Sequence, residues 1–159
     1  MSITNRLKEY LETSGVSYTH CTHRLAYTAQ GVAAAQHVKG REMAKTVILR
    51  TADKFLMAVL PALHKVDITA LESALPYDHV TLATESDFAV LFPDCEVGAM
   101  APFGNLYGLP VFVDTELTRD SEIVFNAGTH TDTIRMTYAD FDRLVQPTVL
   151  SLTHQLAPA

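Results

Sequence analysis

Residues 92–113 read Phe-Pro-Asp-Cys-Glu-Val-Gly-Ala-Met-Ala-Pro-Phe-Gly-Asn-Leu-Tyr-Gly-Leu-Pro-Val-Phe-Val. A loop holding Gly98, Pro102, Gly104 and Gly108 runs directly into a β-branched, aromatic strand former. Glycine lets the backbone turn with positive φ and pack closely, and proline fixes φ and removes a donor. Set on a strand, such a loop offers main-chain N–H groups in a fixed array. A site built that way recognises a carbonyl or sugar oxygen without a charged side chain. The plainer reading is a connection between two strands.

Elements alternate on both sides of this loop. Ile3, Leu7, Tyr10 and Leu11 fall at helical spacing, with Gly15 as a stop. Val16 to Cys21 reads as a short strand. Thr28 can cap a helix over 29–38, ended by Gly40. Ala44 to Arg50 and Lys54 to Leu60 form a hairpin pattern around Thr-Ala-Asp. Asp67 can cap a helix from Ile68 to Leu75, and Thr84 with Asp87 starts another from Glu85 to Phe92. Strands follow at Leu109 to Asp114, Glu122 to Asn126 and Thr131 to Met136, with a turn at 127–129. Thr137 caps a last helix that places Tyr138, Phe141, Leu144 and Val145 on one face, and Pro147 ends it. The expectation is one α+β domain over 1–159, with its core at about 3–147 and a loosely held tail at 148–159.

The chain has 159 residues, 48% of them apolar and 19% charged, enough for a sizeable core. The amphipathic, charged start does not resemble a signal peptide, and no apolar run is long enough to cross a membrane. Cys21 and Cys95, the two cysteines, read as free thiols in a reducing compartment. The cytoplasm is the expected location. A net charge of −6 argues against a protein that grips a long stretch of DNA or RNA, since phosphate neutralisation needs a basic face. A nucleic-acid partner must be touched over a small area.

Three segments carry candidate chemistry. Lys45, at the start of an apolar strand, is either a solvated strand-edge lysine or an ammonium facing a partly apolar pocket, where it could hold a phosphate or an electron-rich oxygen. The glycine-rich loop is the second. The third is Phe125-Asn-Ala-Gly-Thr-His-Thr-Asp-Thr133, where Gly128 makes a turn that can present His130 as a general base or water-orienting group. Asp132 is the carboxylate close enough in sequence to orient it. His20-Cys21-Thr22-His23 invites a metal site, but strand alternation sends the two imidazoles to opposite sides and no second cluster completes the ligand set. Cys95 stands between Asp94 and Glu96, whose charges would raise its pKa and dull it as a nucleophile.

In order and spacing, Ala44-Lys45-Thr46, the Gly-x-x-x-Pro-Phe-Gly loop at 98–104 and Asn-Ala-Gly-Thr-His at 126–130 resemble the YbaK/ProX family. Its members are trans-acting aminoacyl-tRNA deacylases similar to the editing domain of bacterial prolyl-tRNA synthetase. The resemblance implies a largely antiparallel, barrel-like central sheet surrounded by helices. It implies hydrolysis of the ester on mischarged tRNA, without metal or other cofactor. Its partners would be the acceptor end of aminoacyl-tRNA and, where one delivers the tRNA, a synthetase.

By the same match Lys45 and His130 are the catalytic candidates. Thr46, Gly98, Met100, Ala101, Pro102, Phe103, Gly104, Asn126, Gly128 and Thr129 would line the substrate pocket. Where the family loop often reads Pro-Pro-Phe-Gly, this chain has Ala101, which frees φ and removes volume, a change that bears on amino-acid choice. A non-catalytic module binding an amino acid or nucleotide is the alternative function.

Overall fold

The computed structural model describes residues 5–23, 42–74, 79–96 and 98–155. The helix expected over 29–38, with Thr28 and Gly40 at its ends, lies outside them. Helix α1 (Asn5–Ser14) leads to strand β1 (Thr19–Thr22). A hairpin follows, β2 (Ala44–Arg50) and β3 (Phe55–Pro61), then β4 (His64–Val66) and α2 (Ile68–Ala74). After β5 (Thr81–Leu82) and α3 (Glu85–Leu91), the glycine-rich loop enters a 3-10 turn at Gly104–Tyr107. β6 (Val111–Asp114), β7 (Glu122–Asn126), β8 (Asp132–Thr137), α4 (Tyr138–Val145), β9 (Thr148–Leu150) and β10 (Thr153–Gln155) complete the order.

Local signals explain the helix starts. Thr84 and Asp87 each accept from the other's backbone N–H, a reciprocal cap on α3. Asp67 accepts from Ala70 N, and Thr137 from Asp140 N. Gln146 ends α4 in the left-handed region, φ 51°.

The strands form a five-stranded sheet in the order β5-β2-β3-β6-β9, a three-stranded sheet β1-β8-β7, and the pair β10-β4. Most pairs are antiparallel, but β6 runs parallel to both β3 and β9. An isolated parallel bridge between Met43 and Val124 ties the larger sheet to the smaller. The fold is therefore α+β with mixed sheets, as expected, but among the described residues the strands do not close into one barrel.

The expectation of a loose tail is corrected over the described residues 148–155. β9 continues the large sheet beside β6, β10 pairs with β4, and Leu152 between them is fully buried. Asp114 fixes that crossing by accepting from Leu152 N at 3.0 Å.

The main core joins α1, α4 and the inner sheet faces around Phe103, Phe125 and Phe141. A second cluster, with Leu49, Leu56, Leu60, Leu71 and Leu152, fills the other side of the large sheet.

Candidate functional site

The glycine-rich loop and the 127–131 turn are bonded directly to one another. Glu96 N donates to Gly128 O at 2.7 Å, and Gly128 N to Ala99 O at 2.9 Å. The Glu96 carboxylate then accepts from His130 N at 2.7 Å. Gly98 (φ +84°) and Gly128 (φ +98°) supply the left-handed turns that let the segments meet. A Cβ built on Gly98 would lie 3.7 Å from His130 Cε1, so the imidazole of this buried histidine rests against the loop.

Within the loop, Met100, Ala101, Pro102 and Gly104 are buried. The N–H groups of Met100 and Ala101 have no hydrogen-bond partner among the described residues. Gly104 is required for packing, since an added Cβ would approach Val111 Cγ2 to 2.7 Å. Phe103 was expected at a pocket wall. Its ring instead is fully buried and packs edge-on against Tyr10 (centroids 6.1 Å) and Phe141 (5.6 Å) and tilted on Phe125 (5.6 Å). It anchors the loop to the core, so any contact it makes with substrate is through its main chain.

Asp132 does not orient His130. Its buried carboxylate accepts from Thr129 Oγ1 at 2.5 Å and bonds His20 Nε2 at 2.7 Å, with Thr131 Oγ1 at 3.3 Å. Burial opposes its charge, but these hydrogen bonds and the nearby imidazole hold its pKa below the ordinary carboxylate value. The register Cys21↔Thr133 and Thr22↔Asp132 brings β1 beside the turn and places His20 there. This pairing was not legible from the sequence, because it joins residues more than 100 positions apart. Thr129 is thus a brace of the turn, bonded to Asp132 rather than open to a ligand.

Lys45 and Thr46 lie on β2, opposite Leu60 and Val59 of β3, and both are half-buried. The isolated Met43–Val124 bridge, with Val124 N donating to Glu42 O at 2.9 Å, sets the start of β2 beside β7, the strand that ends at Asn126. The buried Oδ1 of Asn126 has no hydrogen-bond partner among the described residues. Burial lowers the pKa of the Lys45 ammonium, and the charge of Lys65 lowers it further. The hydrogen bonds that join the loop to the 128–130 turn do not include Lys45.

Cys95 is dulled as expected, though burial is the main reason. Its thiol is pushed up to about 11, and it sits 3.5 Å from Tyr107 Oη in a cluster with Asp94 and Arg6. A separate cavity of about 360 Å³ opens at the start of β2, lined by Glu42, Pro61, His64, Glu116, Arg119, Asp120 and Ser121. None of the expected pocket residues lines it.

An α+β domain with mixed sheets and a glycine loop locked to a histidine-bearing turn defines the class of this chain. The chain belongs to the aminoacyl-tRNA editing domain family, whose model matches residues 23–144. It is similar to the multifunctional Ser/Thr-tRNA deacylase ProXp-y of Escherichia coli K12, at 26% identity over 94% of this chain and 93% of the relative. Among solved structures it superposes on one described as a candidate trans-editing enzyme for prolyl tRNA synthetase, with TM-score 0.80, 19% identity, and 94% and 95% of the two chains covered. A chain described only as a hypothetical protein gives TM-score 0.84 at 17% identity, over 94% of this chain and all of the other. These likenesses to solved structures concern the fold.

Proposed function

We propose that this chain, acting as one domain over 1–159, hydrolyses the ester of mischarged aminoacyl-tRNA in trans and releases a small amino acid. The observation that carries this reading is the bonded junction of the 96–99 segment with the 128–130 turn, inside a chain of the editing-domain family. The acceptor end of the tRNA is the partner, with or without a synthetase to deliver it, and translation places the reaction in the cytoplasm.

In the reaction, water forms a bond to the ester carbonyl carbon, and negative charge gathers on the carbonyl oxygen. The N–H groups of Met100 and Ala101, which no described residue engages, would receive that oxygen. One such donor typically contributes about 3 kcal/mol to the transition state. Collapse breaks the bond to the ribose oxygen, which takes up a proton and leaves as hydroxyl. The proton lost by water reaches that leaving oxygen either by relay through the neighbouring ribose hydroxyl, which gives up its own proton as it accepts, or by way of His130. Lys45 holds the terminal adenosine, its phosphate, or the aminoacyl group. Thr46, Gly98, Pro102, Gly104, Asn126 and Gly128 shape the pocket, and Thr129 braces it.

Aminoacyl esters are activated, so modest electrostatic help suffices. Selectivity then rests on pocket volume, where one methylene is worth about 1–3 kcal/mol. Ala99, Met100 and Ala101 suggest a compact site. The relative's name adds threonine to serine, alanine, cysteine and proline as first candidates.

The test is release of amino acid from a panel of tRNAs mischarged with these five residues. Wild type should deacylate at least one, and folded Lys45→Ala should lose that activity. Turnover by the variant at the wild-type rate would remove Lys45 from the site. Silence of the wild type on the whole panel would favour a binding module instead.

A further inference from the structure

Among the described residues every arginine is ion-paired, whereas Lys8 on α1, Lys45 and Lys65 are not. Each of Arg6, Arg50, Arg119, Arg135 and Arg143 is ion-paired, with Asp94, Asp87, Glu116, Glu122 and Asp140 in turn. Lys45 and Lys65 join no ion pair among the described residues. They also stand at one corner of the fold. Ala44 and Lys45 open β2 opposite Pro61 and Leu60, which close β3. Ala62 N donates to Met43 O at 2.8 Å, which pins the following turn to the start of β2. β4 leaves that turn, held from its other edge by β10, and carries Lys65 exposed at its centre. Lys65 is close enough for its charge to act on Lys45.

Two like charges at one corner repel each other in the free protein. An anion that meets both relieves that repulsion. In a chain of net charge −6 whose described arginines are ion-paired, these two ammonium groups have no ion pair among the described residues. A backbone phosphate at the single-stranded end of a tRNA has the right charge and size. Lys45 is half-buried and Lys65 is exposed, so Lys65 is the one of the two open to a phosphate outside the pocket.

We infer that Lys65 is a substrate-binding residue, contacting a tRNA backbone phosphate next to the terminal nucleotide held by Lys45. This rests on the tRNA reading above. It names a second contact of the same site and limits the footprint to a few nucleotides.

The test uses the full chain with Lys65→Ala and Lys65→Arg. Two measurements are made: salt dependence of binding to uncharged tRNA, and steady-state hydrolysis of aminoacyl-tRNA against aminoacyl-adenosine, which lacks the phosphates. For Lys65→Ala, the slope of log K on log salt should become shallower by about 0.7, the value of one single-strand phosphate. KM for the charged tRNA should rise about fivefold with kcat held, so the preference for tRNA over aminoacyl-adenosine falls by the same factor. Lys65→Arg should restore both. An unchanged slope, or an equal loss on both substrates, would overturn the inference. Because the slope is read on uncharged tRNA, it decides the role of Lys65 even if no hydrolysis is found. Absence of hydrolysis would count against the proposed function alone.

Discussion

Asp132 is only 1% exposed, and its four oxygen-centred ties decide how the turn before it is shaped. Thr129 and Thr131 bond one carboxylate oxygen and His20 the other, and its own main-chain carbonyl accepts from Ala127 N. Since its folded pKa lies below the ordinary 3.8, the unfolded chain binds the proton more readily. The network's contribution is therefore complete above the ordinary carboxylate value and is lost as pH falls through the lower, folded value. Asp132→Asn should cost about 1–3 kcal/mol at neutral pH, since it weakens charge-assisted bonds in a buried place. Its urea midpoint should also fall less than that of wild type on acidification from about pH 5 to about pH 2. Parallel pH profiles for the two proteins would show that the carboxylate's charge contributes nothing. His130 is held through its main chain by Glu96, a residue 34 positions away, while Asp132, the carboxylate near it in sequence, is engaged by His20, Thr129 and Thr131.

Elements set by local chemistry were legible. The caps at Asp67, Thr84 and Thr137 work within one turn, and β2 and β7 keep their expected bounds because their β-branched and aromatic residues favour a pleated, half-buried surface. β9 and β10 were not legible. Each is three residues long, and they follow Pro147, which reads as an ending. What makes them strands is pairing with β6 and β4, which no local pattern announces. The site followed the same division. Gly98 and Gly128 marked real turns, while the β1–β8 register that brings His20 to Asp132 depends on distant residues. Leu152→Ala tests the corrected tail. Loss of a fully buried leucine should lower unfolding free energy by about 2–5 kcal/mol in a urea titration. A change near zero would return 148–155 to the status of a loose appendage.

At the scale of the molecule, charge sets how the protein meets a polyanion. The five described arginines are ion-paired with carboxylates, and Lys45 and Lys65 stand together with no ion pair among the described residues. A footprint of about two phosphates gives a shallow salt response. Affinity for tRNA should fall only about tenfold between about 50 and 200 mM salt, where a wide basic face loses far more. A drop of a thousandfold or greater in a filter-binding titration would mean that a larger surface takes part. Among the described residues no helix is long and apolar enough to cross a membrane.

The burial that silences Cys95 also divides the two thiols for the experimenter. With Cys95 raised to about 11 and tucked under Tyr107, a maleimide dye applied near neutrality should mark half-exposed Cys21 first. That dye would hang from β1 directly across from Thr133, where its emission could report, in real time, the moment an acceptor strand docks.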